Sequence, residues 1–144
     1  MGFAFVSMLI IGCSSATTVN YEDLDIGFNH EIANYKMNDA PFNGIAIEHF
    51  SAHRLEHHIE TGFEVTQLGF YLSGEKEREF NYKEGKKHGK STMWWKDGTL
   101  LLEETYENGE LNGEVKRYGP DGAVVETKFY IQGVLDMAAD SVSQ

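Results

Sequence analysis

His49, His53 and His57 stand four residues apart, with His58 adjacent and Glu56 and Glu60 close by in the chain. Imidazoles and carboxylates are ligands for zinc and related metals, and this spacing lines three imidazoles along one side of a helix or a strand. A zinc site needs three or four ligands converging at about 2.0–2.1 Å. Alternate residues of one strand stand about 6–7 Å apart, so these histidines can share a metal only if folding draws them together. The other chemistry open to them is titration. Below about pH 6.5 an exposed imidazole patch gains positive charge, which would make partner binding pH dependent.

Other reactive groupings are sparse. The chain has no phosphate-cradling G-x-x-x-x-G-K-[ST] sequence and no G-x-S-x-G. Glu103 and Glu104 are neighbours on an expected strand and point to opposite faces, so they cannot act on one substrate. Lys86-Lys87-His88 is a small basic loop in an acidic chain and reads as a solvated turn. We expect no catalytic residues, no cofactor and no enzymatic activity.

The elements that must position these residues follow from a repeat. Gly74, Gly98 and Gly122 are 24 residues apart, as are Gly85, Gly109 and Gly133, Gly89 and Gly113, and Tyr82, Tyr106 and Tyr130. Such a period marks units that cannot bury an apolar face alone and must stack on their neighbours. Asp97-Gly98 and Asp121-Gly122 are the dipeptides of two-residue hairpin turns, with Ser73-Gly74 at the matching place. Glu84 to Gly89 and Asn108 to Gly113 read as longer loops. The expected fold is all-β: an elongated, single-layer antiparallel meander of stacked β-hairpins. Its aromatic rows are Tyr82, Tyr106 and Tyr130, and Phe70, Trp94 and Tyr118. The unit between His53 and Ser73 is three residues short, its turn glycine having moved to Gly62, and so is the place for something particular to this protein.

The boundaries follow. Gly2 to Ile11 is almost wholly apolar, too short to cross a bilayer core of about 30 Å but the length of a signal-peptide core. Met1 to Ser7 contains no Lys or Arg. Ile10-Ile11-Gly12-Cys13 resembles the bacterial lipobox, which implies a signal peptide at residues 1–12 and acylation of Cys13, the chain's only cysteine. Ser14 then implies an outer-membrane anchor in a Gram-negative cell. Residues 13–40 would be a linker holding an initial strand near Ile32 to Met37 and a turn at Asn38-Asp39-Ala40-Pro41. Repeats would occupy 41–134 and a flexible tail 135–144.

Lys+Arg 12 against Asp+Glu 23 gives a net charge of −11 and a pI near 4.9. That sign opposes nucleic acid and anionic lipid headgroups, and favours a basic protein partner or simple solubility.

Tyr82 to Gly89, Trp94 to Gly98 and Tyr106 to Glu114 together resemble the bacterial variant of the MORN repeat, as in YwqK-type antitoxin-like proteins. Pro41 to Ala46 is similar to the opening repeat of that group. The resemblance implies a repeat scaffold that works by contact. The leading expectation is a lipid-tethered envelope protein that binds another protein, in antitoxin or immunity fashion, through an acidic face formed by Glu103, Glu107, Glu110 and Glu114 or through an open sheet edge. The alternatives are a structural envelope protein with no dedicated ligand, and a metal-binding protein using His49, His53, His57 and His58.

Overall fold

A computed structural model describes residues 16–29 and 32–137. The leader, Cys13 and residues 138–144 lie outside the described residues. The fold is all-β, with one short 3-10 turn at Tyr21–Asp23. Among the described residues no helix is long and apolar enough to cross a membrane.

The strands are β1 (Thr18–Asn20), β2 (Asp25–Asn29), β3 (Ile32–Met37), β4 (Ala40–Pro41), β5 (Gly44–His49), β6 (His53–Glu60), β7 (Phe63–Tyr71), β8 (Lys76–Lys83), β9 (Lys86–Lys87), β10 (Gly89–Trp94), β11 (Leu100–Glu107), β12 (Glu110–Leu111), β13 (Gly113–Tyr118), β14 (Val124–Ile131) and β15 (Val134–Leu135). The large sheet runs in the order β1-β5-β6-β7-β8-β10-β11-β13-β14-β15, with β9 extending along β8 and β12 along β11. Every pairing is antiparallel except β1 on β5. β3 matches the strand expected near Ile32 to Met37, and β15 places Leu135 opposite Tyr130, so strand structure reaches one residue into the expected tail.

The two kinds of turn exchange the roles expected of them. Glu84-Gly85, Asn108-Gly109 and Gln132-Gly133 are the tight two-residue turns, both φ angles being positive, as they also are at Thr61-Gly62 and Asn38-Asp39. This is the backbone a two-residue hairpin needs to match strand twist. At Asp97-Gly98 only the glycine has positive φ. There Trp95 and Thr99 close a three-residue loop, Gly98 N–H donating to the Trp95 carbonyl at 2.9 Å, and the same bond joins Gly122 to Gly119 and Gly74 to Tyr71. Asp97 and Asp121 serve these loops through their side chains, accepting from the N–H of Thr99 and Ala123. Each loop is followed by a register shift, opposite Gly69/Phe70, Met93/Trp94 and Arg117/Tyr118 in turn.

Successive units are joined by a recurring contact. Gly62, Gly109 and Gly133 donate their N–H to the carbonyls of Phe42, Lys87 and Leu111, each at 2.8 Å. The residue before each glycine donates its own N–H to a side chain of that neighbouring loop: Thr61 to Asn43 Oδ1 at 2.7 Å, Asn108 to His88 Nδ1 at 3.5 Å, and Gln132 to Asn112 Oδ1 at 3.3 Å. A short Asn at this place satisfies a turn N–H that the ladder leaves open.

Much of the stretch read as a linker, together with Pro41, forms a second sheet, β2-β3-β4, which packs on the irregular unit, while Thr18–Asn20 joins the large sheet as β1. Tyr35 N–H donates to the Gly62 carbonyl at 2.8 Å, fastening this sheet to the turn of β6 and β7. A Cβ at Gly62 would lie 3.0 Å from the Tyr35 carbonyl, and its φ is +81°. Leu24, Tyr35 and Phe42 close over Ala46 and Ile59 as the buried core. The first half of the large sheet is thus covered on one face by a second layer.

Candidate functional site

Strand alternation distributes the histidines. Leu55, His57 and Ile59 are buried, facing the core, and Glu56 and His58 take the opposite face. His57 is 4% exposed. Its Nδ1 lies 2.7 Å from Glu64 Oε1, and its ring packs on Tyr21 with centroids 4.6 Å apart. Nε2 is 3.4 Å from Glu48 Oε2 without forming a hydrogen bond. Glu48, His57, Glu64 and Tyr21 come from β5, β6, β7 and the 3-10 turn, so no spacing in the chain announces the cluster; the one legible sign is His57 between two inward apolar residues.

The other histidines stand apart. His49 is exposed at the end of β5, opposite Arg54. His53 stacks on Phe50 at 4.7 Å. His58 lies 3.8 Å from Glu56, across the sheet from His57. Among the described residues no group of three or more His, Cys, Asp or Glu is placed to hold a metal ion.

The Glu64 carboxylate also sets the character of nearby tyrosines. Burial first, and this negative charge second, push the Tyr82 hydroxyl up to about 12. Burial is again the leading cause for Tyr35, whose phenol is held far above its ordinary range, with a hydrogen bond to Tyr21 and the Glu64 charge adding to it. Such groups stay protonated as hydrogen-bonding phenols at any physiological pH.

The second candidate surface lies on the repeats. Cross-strand register sets Glu107 opposite Glu110 and Glu103 opposite Lys116. Alternation then places Glu103, Glu107, Glu110 and Glu114 on one face of the sheet. Two of them are paired with lysines: Glu103 with Lys90, while also accepting from Tyr118 at 2.6 Å, and Glu114 with Lys116 at 2.6 Å. Glu107 accepts from Asn112 at 2.5 Å, and both Glu107 and Glu110 are exposed. Like charges directly opposite repel, so this pair is the least neutralised part of the face.

The residues of both expected aromatic rows lie on strands of the large sheet. Tyr106 and Tyr130 each have a glycine opposite on one side, Gly89 and Gly113, and a leucine opposite on the other, Leu111 and Leu135. Lys87 lies between Phe80 of β8 and Tyr106 of β11, its ammonium 3.9 Å from the centre of the first ring and 4.9 Å from that of the second; the basic loop is therefore partly engaged with rings. In the other row Arg54 lies over Phe70 and Lys76 over Trp94.

Comparison with models of known protein families gives no match, and no significant similarity emerges to curated proteins or to solved structures.

Proposed function

We propose that this protein is a non-enzymatic binding module: a platform of stacked hairpin repeats, single-layered over its later units, that holds another protein and is tethered to a bacterial envelope by lipid on Cys13. The observation that carries this reading is the distribution of the core. Among the described residues the buried hydrophobic ones, Leu24, Tyr35, Phe42, Ala46, Leu55 and Ile59, all precede β7. The repeats from Lys76 to Leu135 keep their rings and aliphatic side chains at intermediate or full exposure. A surface built in this way keeps apolar area available for a partner instead of enclosing it.

The acidic balance favours a basic partner, and Glu107 with Glu110 sets two exposed carboxylates opposite one another. The MORN-like pattern of glycines and aromatics supports the same class, and an antitoxin or immunity role is one form of it. The lipobox-like Ile10 to Cys13 supports outer-membrane attachment.

Affinity capture from the native envelope tests the reading. Recovery of one stoichiometric basic protein, lost when Glu103, Glu107, Glu110 and Glu114 are all changed to Gln, is the expected result. Capture that is indifferent to these changes removes the acidic face from the proposal. Mass spectrometry of the mature N-terminus tests the anchor, the expected species being an acylated Cys13.

A further inference from the structure

The irregular unit breaks the junction that joins the other repeats. Lys87 and Leu111, whose carbonyls receive the turn N–H groups, stand 22 residues before Gly109 and Gly133. The residue at the same distance before Gly85 is Phe63, and Gly85 makes no such bond to it. Glu64 stands 20 residues before Glu84, as His88 does before Asn108 and Asn112 before Gln132, but its carboxylate is turned to His57 at 2.7 Å. The register shift of β6 against β7 sets Thr66 opposite His58 and Glu64 opposite Ile59, which leaves Val65 with no partner on β6. The turns at Thr61-Gly62 and Glu84-Gly85 thus lack the bonds that draw the other turns together.

A cleft of about 390 Å³ lies at this place, within the range of about 300–1,000 Å³ that holds a small organic molecule. Ile32, Phe63, Val65 and Tyr82 give it half-buried apolar and aromatic walls, and Glu60, Lys83 and Glu84 form an exposed rim. Ile32 belongs to the second sheet and lies so close over Gly85 that no Cβ fits there, so one wall is supplied by the docking of that sheet. Among the described residues Glu60, Lys83 and Glu84 enter no ion pair and no side-chain hydrogen bond.

We propose that this cleft binds a small organic ammonium with an apolar or aromatic body. Two carboxylates against one lysine leave the rim net negative, and the faces of Phe63 and Tyr82 attract a cation. An organic anion would meet both carboxylates as well as the negative ring faces. A wholly apolar molecule would fill the walls and leave the rim charges as they are. The ligand's apolar body takes the place of the missing junction and removes the surface of Ile32 and Val65 from water. The inference is independent of the protein-binding role proposed above, whose acidic face shares no residue with the cleft.

Isothermal titration calorimetry on the full-length protein in a neutral maltoside detergent tests this with three probes of similar shape: phenethylammonium, 2-phenylethanol and 3-phenylpropionate. Phenethylammonium should bind one to one with a Kd of about 1 mM or tighter, and the alcohol and the carboxylate about tenfold more weakly. Glu60→Gln combined with Glu84→Gln, both at exposed positions, should weaken the ammonium about tenfold and leave the alcohol unchanged. Val65→Trp, which fills the cleft, should abolish binding of all three. Thermal melts establish that each variant is folded, and the glutamine pair decides the matter should Val65→Trp fail to fold. No saturable binding of phenethylammonium, equal affinity for the three probes, or binding indifferent to the glutamine pair overturns the proposal. The cleft is then a gap left by the shortened unit, and capture of a protein partner is unaffected by that result.

Discussion

His57 Nδ1 and Glu64 Oε1 lie 2.7 Å apart beneath the small sheet, on neighbouring strands but two register positions from being directly opposite. The bond spans the shift that offsets β7 against Ile59, where β6 and β7 depart from simple pairing. It therefore ties a side chain of the core to the bulged part of the irregular unit.

Removing one partner should be costly. His57→Ala leaves a mostly buried carboxylate with only the long 3.4 Å bond from Gln67 and opens a space beside Tyr21, so a loss of about 2–4 kcal/mol is expected in urea unfolding. Glu64→Gln, which keeps shape and one acceptor, should cost less. A double-mutant cycle with His57→Ala should then show coupling, and strict additivity would contradict a direct interaction.

Gly62→Ala should destabilise by about 2 kcal/mol, since the new methyl meets both an unfavourable positive φ and the Tyr35 carbonyl. Gly74→Ala shares the positive φ but has open space around it. It should cost less, and the difference between the two measures the close approach of the second sheet.

His88 stands where Asn43 and Asn112 stand in the equivalent junctions, and its bond to the turn N–H is the longest of the three. His88→Asn should raise stability by about 0.5 kcal/mol, and Asn112→Ala should lower it by a similar amount, the bonds being exposed. Thermal melts of both variants would check this, and a fall on His88→Asn would deny the equivalence of the junctions.

The pH profile should have two limbs. Hydrogen bonds from Lys90 and then Tyr118 hold Glu103 below the usual carboxylate range. Its contribution is thus present above the unfolded carboxylate value and is lost as pH falls through the lower folded one. At the alkaline end burial, ahead of the charge of Glu104, pushes Tyr106 up to about 12, and burial raises Tyr82 to the same value. Their contribution is complete below the ordinary tyrosine value and is lost as pH rises through the folded one. Melting temperature against pH, with tyrosinate absorbance followed in parallel, checks both limbs. Glu103→Gln should flatten the acid limb and also weaken the alkaline one, because the hydrogen bond to Glu103 is the main cause that pushes the Tyr118 hydroxyl up to about 12.

The strands of the later units were legible because glycines and aromatics recur in phase, which is a local signal. Turn type was not, since Asp97-Gly98 and Asn108-Gly109 look alike as dipeptides, and it is the length and register of the flanking strands that decide between a two- and a three-residue loop. The second sheet escaped notice for a different reason. Apart from Ile32 to Met37, its residues show no period, and its fastening to Gly62 is made by backbone atoms. The His57 cluster was illegible because it depends on pairing across strands: Glu48 and Glu64 reach the imidazole only once β5, β6 and β7 are paired and Tyr21 is laid across them.

The junction between units is made by a turn glycine, a backbone carbonyl and one polar side chain. Gene segments encoding whole units could therefore be duplicated or lost at the distal end without disturbing the folded base formed by the two sheets. Length would be the property most easily altered by descent, and the base the part that stays the same.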